Sequence, residues 1–216
     1  MTLKRIALLG LLISTSSVTF SASFDCSKAK TNTEKLICST PETSALDETL
    51  NRSFKSAYGR AGDKAGVRQS QRDWLNDELK ACADLGCIEV TMAERISLLD
   101  QIASVDEPAA RWTGHFVRYE NAKVDPDKST ISILGMISGR LNIKGDAIWI
   151  GQNQGQVNTG EMRGVASVSP VGNEAQFDMD GCEAKLILRG DALTVANESG
   201  CGGMNVSFNG SYRRIK

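Results

Sequence analysis

The chain has 216 residues, a formal net charge of −1 and only 6% aromatic residues. This length suffices for one large domain or for two small ones, each with a modest hydrophobic core. The near-neutral charge and the lack of a basic run interleaved with aromatic residues argue against a nucleic-acid-binding protein.

The N-terminus has the pattern of a secretory signal peptide. Lys4-Arg5 precedes an almost unbroken apolar segment over residues 6–13, and Ser21-Ala22-Ser23 supplies the small residues that a signal peptidase recognises. The apolar segment is shorter than the roughly 20 residues that span a bilayer. We therefore predict a signal peptide over residues 1–23, cleaved after Ser23, and a periplasmic or secreted protein that keeps no membrane anchor.

Residues 24–105 have apolar residues at helical spacing and few glycines. Thr31 and Glu34 predict a capping box that opens a short helix ending near Cys38. Thr40 and Pro41 are typical of the N-cap and the first position of the next helix. Three apolar stripes follow, namely Leu46, Leu50, Phe54 and Tyr58; then Val67, Gln71, Trp74, Leu75, Leu79 and Cys82; then Ile88, Met92, Ile96, Leu99 and Ala103. Their short connections predict a three- to four-helix antiparallel bundle.

Residues 112–216 change to short alternating runs separated by glycines. The predicted strands cover residues 112–119, 130–137, 140–144, 147–150, 164–168, 184–188, 192–195 and 204–212. Lys144-Gly145-Asp146 and Arg189-Gly190-Asp191 have the composition of hairpin turns. Seven or eight strands joined by hairpins predict a small antiparallel β meander, either a barrel or a sandwich.

The change of pattern places a linker at residues 106–111, where Pro108 cannot continue the preceding helix. The predicted fold class is therefore α+β, with the helices and the strands segregated into two domains.

The six cysteines divide evenly between the two halves, with Cys26, Cys38, Cys82 and Cys87 in the first and Cys182 and Cys201 in the second. Even numbers are expected of disulfide-bonded domains in an oxidising compartment. Cys182 and Cys201 have one partner choice within their domain. The other four allow local pairing, Cys26–Cys38 with Cys82–Cys87, or crossed pairing, Cys26–Cys87 with Cys38–Cys82. Local pairing is favoured because Cys82 ends one predicted helix and Cys87 begins the next.

Catalytic, cofactor and metal sites are not predicted. The cysteine spacing is unlike that of zinc ligands, and the single histidine, His115, lies in the other half. No serine lies in a Gly-x-Ser-x-Gly motif that could work with His115. The closely spaced carboxylates Asp47-Glu48, Asp77-Glu78 and Asp125 with Asp127 are predicted to be solvated surface charges. We therefore do not expect an enzyme.

Several motifs are spread through residues 24–103. They are Phe24-Asp25-Cys26-Ser27-Lys28-Ala29-Lys30-Thr31, Glu34-Lys35-Leu36-Ile37-Cys38, Leu46-Asp47, Tyr58, Gln71-Arg72-x-Trp74-Leu75, Cys82, Cys87 and Arg95-Ile96. Together they resemble the N-terminal domain of the LprI-like lysozyme-inhibitor family. The resemblance implies a secreted or envelope-associated bacterial protein whose helical domain is stapled by cysteines. The β-rich half is similar to tails found in some members, and the resemblance implies no function for this half.

The expected function is that of a non-enzymatic protein that binds another envelope protein, and the resemblance implies a lysozyme as partner. The helical half has 13 acidic and 11 basic residues, which permits contact with a cationic lysozyme. The alternative is a small-molecule or glycan-binding protein whose β domain is a barrel with a ligand cavity. A filled barrel interior would count against that alternative.

Overall fold

The computed structural model describes residues 22–121, 123–125, 128–152 and 155–215. The predicted signal peptide thus lies outside the described residues, apart from Ala22 and Ser23. Ala22 is buried in the helical core, and the Ser23 backbone N–H donates to Asp47 Oδ2 at 2.7 Å. Cleavage after Ser23 would therefore remove two residues that contact the helices. In the described part of the chain, no helix is both long and apolar enough to cross a membrane.

The first half contains the helices α1 (Asn32–Ile37), α2 (Pro41–Arg60), α3 (Lys64–Asp77) and α4 (Leu85–Asp100). Each begins after a residue whose side chain accepts a backbone N–H of the first turn: Thr31, Thr40, Asp63 and Asp84. The predicted capping box of Thr31 with Glu34 and the start of α2 at Pro41 are confirmed.

The predicted stripes form the helical core only in part. Leu50, Val67, Trp74, Ile88, Met92 and Leu99 are buried. Leu75 is exposed, and Leu79 lies beyond α3 in the 3-10 turn Leu79–Ala81. The predicted extension of the last helix to Ala103 is wrong, because α4 ends at Asp100 and the Ala103 N–H donates to Gly135 O in the second half.

The second half is an antiparallel barrel. Its strands are β1 (Gly114–Glu120), β2 (Lys123–Val124), β3 (Thr130–Met136), β4 (Arg140–Ile150), β5 (Val157–Val168), β6 (Glu174–Met179), β7 (Cys182–Arg189), β8 (Ala192–Ser199) and β9 (Gly210–Ile215). Successive strands from β3 to β9 are neighbours, β1 pairs with both β3 and β9, and the short β2 adds to the edge of β1. Eight strands therefore close into a barrel, which decides between the barrel and the sandwich.

Two predicted turns have different outcomes. Arg189-Gly190-Asp191 is the hairpin between β7 and β8, and Gly190 has the positive φ of +59° that such a turn uses. The turn predicted at Lys144-Gly145-Asp146 is wrong, because β4 runs through it without a break. A Cβ at Gly145 would lie only 3.0 Å from Phe208 Cε1, so this glycine makes room for packing inside the barrel.

Other strands also differ from the prediction. The strands β2 and β6 were not predicted, β5 begins at Val157 instead of at residue 164, and the last strand begins at Gly210 instead of at residue 204. Glu198 explains the late start of the last strand, because its Oε2 accepts from Ser207 Oγ at 2.7 Å and from the Phe208 N–H at 3.0 Å. This carboxylate holds the segment before β9 in an irregular conformation that inserts Phe208 into the barrel.

Large side chains fill the barrel interior. Those at most 1% exposed include Trp112, Phe116, Ile131, Ile133, Leu141, Phe177, Phe208 and Tyr212. The ring of Trp112 is anchored by a hydrogen bond from Nε1 to Gly172 O at 3.1 Å. A barrel packed in this way is a core and leaves a ligand to bind elsewhere.

Three disulfides join the described cysteines, and none of these residues is a free thiol. The pairs are Cys26–Cys38, Cys82–Cys87 and Cys182–Cys201. The helical half therefore has the local pairing of its four cysteines and not the crossed pairing. Three disulfides indicate an oxidising, extracytoplasmic compartment.

The two halves are packed together rather than held apart. Leu134 of β3 belongs to the helical core, and a Cβ at Gly66 of α3 would lie 2.8 Å from Gly114 Cα of β1. The predicted linker is largely taken up by the 3-10 helix Pro108–Trp112, in which Ala109 and Ala110 are buried. Short apolar residues let this segment pack against the barrel, so helices and barrel form one docked unit.

Candidate functional site

A cleft of about 310 Å³ lies where α3 and α4 cross the outer face of the barrel. The helices contribute Asp73, Trp74, Glu94 and Arg95, and strands β3 to β5 contribute Ser132, Asn142, Lys144 and Arg163, among others. Such a volume lies at the lower end of the range for small-molecule sites.

Successive side chains of a strand point to opposite faces of the sheet, and the outward-pointing ones form the floor of the cleft. In β3, Ile131 and Ile133 point into the barrel, whereas Ser132 and Leu134 point to the helices. The alternation that fills the barrel thus also presents polar side chains to the cleft.

Two of the basic residues in the cleft are neutralised by carboxylates. Lys144 Nζ lies 2.8 Å from Asp77 Oδ2 and 3.6 Å from Glu78 Oε1. Arg163 Nε lies 2.8 Å from Glu161 Oε2, and this hydrogen bond lowers the pKa of Glu161 and raises that of Arg163. These pairs stabilise the rim of the cleft without leaving a free positive charge there.

Arg95 is the third basic residue and is only 5% exposed. Its Nε donates to Gln71 Oε1 at 2.9 Å, and Nη2 donates to Ser70 Oγ at 3.2 Å. The guanidinium carbon lies over the ring of Trp74, 5.6 Å from the ring centre. All three partners are electrically neutral.

His115 has a serine neighbour that the sequence did not reveal. His115 and Ser132 are direct cross-strand partners, and Nδ1 lies 2.7 Å from Ser132 Oγ. Burial lowers the pKa of His115, so the ring is neutral at pH 7. Among the described residues, however, no carboxylate is hydrogen-bonded to the other ring nitrogen, so the pair lacks the third member of a catalytic triad.

The predicted carboxylate pairs are spread over the molecule, and Asp127 lies outside the described residues. Asp47 is buried, contrary to the prediction, because it accepts the hydrogen bond from Ser23. Glu48 pairs with Arg52. Asp125 is also buried, contrary to the prediction, because it pairs with Arg118. With Asp77 and Glu78 bound to Lys144, each described pair makes structural contacts.

The segment 77–100 carries an acidic face that sequence analysis missed. Six of its carboxylates are exposed, those of Asp77, Glu78, Asp84, Glu89, Glu94 and Asp100, whereas Lys80 is its one exposed basic residue. A count of charges along this segment, instead of over the whole helical half, would have revealed it. Within the described residues, no group of three or more His, Cys, Asp or Glu is arranged to hold a metal ion.

Comparisons with known proteins add no family to this description. The chain matches no protein-family model, no curated protein and no solved structure. The LprI-like resemblance stays a prediction from the motifs.

Proposed function

We propose that this protein is a non-enzymatic binding protein of an oxidising compartment that binds a basic protein through its acidic face. The family resemblance names a lysozyme as the first partner to test. The observation that carries the proposal is the set of six exposed carboxylates against one exposed lysine in residues 77–100. Asp77 and Glu78 share the charge of Lys144, whereas the other four, Asp84, Glu89, Glu94 and Asp100, make no salt bridge among the described residues. A surface of this kind attracts and orients a cationic partner.

The acidic face is supported on a rigid scaffold. The disulfide Cys82–Cys87 closes the turn before α4, and Asp84 caps the helix by accepting the Cys87 N–H at 2.9 Å. Lys144 of the barrel contacts Asp77 and Glu78 at the other side of this turn. A preformed surface loses little conformational entropy on binding.

The test uses the full, oxidised chain in a lysozyme cell-wall lysis assay and in a direct binding measurement. We expect inhibition and binding at low salt, with the Kd rising as salt screens the exposed charges. A complete lack of binding to a cationic lysozyme at low salt would refute the lysozyme assignment.

A charge-reversal variant tests the acidic face itself. Glu89 and Asp100 are eleven residues apart on α4, which places them on the same side of the helix. Glu89→Lys with Asp100→Lys should raise the Kd by about tenfold or more, a loss of roughly 1.4 kcal/mol. The matched control is Asp178→Lys with Glu183→Lys, an exposed cross-strand pair on β6 and β7 with the same change of charge. An equal loss in both variants would mean that net charge, and not this face, determines binding.

The filled barrel interior counts against the alternative function, in which a small ligand binds inside the barrel. Among the described residues, the barrel interior is filled by its own buried side chains, which include those of Trp112 and Tyr212. A small ligand would have to bind at the surface or in the cleft under the helices.

A further inference from the structure

Arg95 carries a buried charge that makes no salt bridge among the described residues, although the carboxylates of Glu78 and Asp73 favour its charged form from a greater distance. Among the described residues no Asp or Glu oxygen lies within 4.0 Å of its guanidinium, and Nη1 has no hydrogen-bond acceptor. Burial lowers the pKa of Arg95 to about 10, so the group stays charged at neutral pH. Buried charges in proteins are normally paired, because desolvation of an unpaired charge is unfavourable. The unpaired guanidinium lines a cleft large enough for a ligand.

The charges around Arg95 restrict which ligand fits. Lys144 and Arg163 are already paired with carboxylates, so Arg95 is the cation of the described lining that has no ion pair. Asp73, which accepts a hydrogen bond from Gln69 Nε2 at 2.7 Å, and the exposed Glu94 also line the cleft, and neither makes a salt bridge among the described residues. A doubly charged anion would be repelled by these carboxylates, whereas a ligand that also carries a positive group would be attracted.

We propose that the cleft between the helices and the barrel binds a small zwitterion, such as an amino acid or a short peptide. The carboxylate of the ligand binds the guanidinium of Arg95, whose planar fork matches a carboxylate in geometry. The ammonium group of the ligand interacts with Asp73 and Glu94. Glu94 belongs both to the acidic face and to this cleft, whereas Arg95 belongs to the cleft alone and Glu89 and Asp100 to the acidic face alone. Variants of Arg95 and of the pair Glu89 and Asp100 therefore let either proposal fail alone.

The first test is an NMR titration of the full, oxidised chain that follows the side-chain Nε–H signals of Arg95 and Trp74. The probes are alanine, propionate, ethylamine and inorganic phosphate, of which propionate lacks the ammonium group and ethylamine lacks the carboxylate. Alanine should give a saturable shift of both signals and bind at least about fivefold more tightly than propionate. Ethylamine and phosphate should give no saturable shift.

Three results would overturn the proposal. The first is no saturable shift with alanine up to about 50 mM, where a millimolar site is filled. The second is equal affinity for alanine and propionate, which would remove the role of the ammonium group. The third is phosphate binding as tight as that of alanine, which would make the cleft a general anion site.

Two variants test separately the contact with the ligand carboxylate and the contact with the ligand ammonium group. Arg95→Lys keeps the positive charge but loses the planar guanidinium group, and we expect at least a tenfold loss of alanine affinity. The matched control is Arg72→Lys, the same substitution at an exposed residue of α3. Because Arg95 is buried, Glu94→Gln provides a second variant on an exposed residue that does not threaten folding. Glu94→Gln should weaken alanine binding by severalfold and leave propionate binding unchanged or tighter. Unchanged alanine affinity in both variants would contradict the assignment.

Discussion

At the level of single residues, buried polar groups follow from contacts between distant parts of the chain. Arg214 of β9 lies 3.2 Å from Asp63 of the helical half through Nη1, and its Nη2 donates to Arg111 O at 2.7 Å. Glu198 likewise accepts backbone and side-chain donors from the segment before β9. These residues look like ordinary surface charges in the sequence, because no local pattern marks the partners that fold back to them.

His115 makes stability depend on pH in a defined window. Its pKa is lowered by burial, against the opposing effect of Asp73 on α3 and Asp146 on β4. Between the lower pKa of the folded state and about pH 6.5, the unfolded chain therefore binds more protons at His115 than the folded chain does. The contribution of His115 to the free energy of unfolding is constant above this window and falls as the pH decreases through it. The slope is at most about 1.4 kcal/mol per pH unit for one proton.

Chemical denaturation between pH 5 and 7 measures this effect, with His115→Asn as the comparison. His115 is the only histidine, and the carboxylates whose pKa is lowered, such as those of Glu34 and Glu161, act at lower pH. The substituted chain should lose the slope. A slope that survives in His115→Asn would show that another group titrates in this range.

At the level of elements, features that depend on neighbouring residues could be predicted from the sequence, whereas features that depend on packing between distant residues could not. The capping box at Thr31 and the hairpin at Gly190 use short-range chemistry that the sequence displays directly. Gly145 has the residue type of a turn, yet it lies within a strand because Phe208, far away in sequence, needs its space. The cleft was missed for the same reason, since Arg95 and Ser132 meet there only after the helices dock on the barrel.

The segment before α1 is predicted to stabilise the helical half. A chain that starts at Phe24 loses the buried Ala22 and the hydrogen bond from Ser23 to Asp47, and should be about 2 kcal/mol less stable than one that starts at Ala22. Equilibrium denaturation compares the two chains.

Asp47→Ala provides the control for this deletion. If Ser23 acts through Asp47, the deletion should cost much less in the Asp47→Ala chain, whereas it should cost the same in a Glu48→Ala chain. Additive effects with Asp47→Ala would contradict the proposed contact.

At the level of the whole molecule, the docking of α3 on β1 creates the cleft and can be tested with two glycines. Gly66→Ala places a Cβ 2.8 Å from Gly114 Cα and should cost about 1–3 kcal/mol by overpacking. Gly59→Ala in α2 meets no atom within 4 Å and should stabilise the chain by about 1 kcal/mol through helix propensity. Thermal unfolding of both variants checks that the two substitutions change the stability in opposite directions. Stabilisation by Gly66→Ala would mean that the helical half and the barrel do not pack closely.

The claim that α4 and the turn before it bind a basic protein is tested most directly by amide hydrogen exchange. The full oxidised chain is compared with and without a cationic lysozyme at low salt, and exchange is followed along the sequence. We predict slower exchange in residues 77–100 and no change in β6 and β7. Protection confined to β6 and β7, or no protection anywhere, would contradict the account.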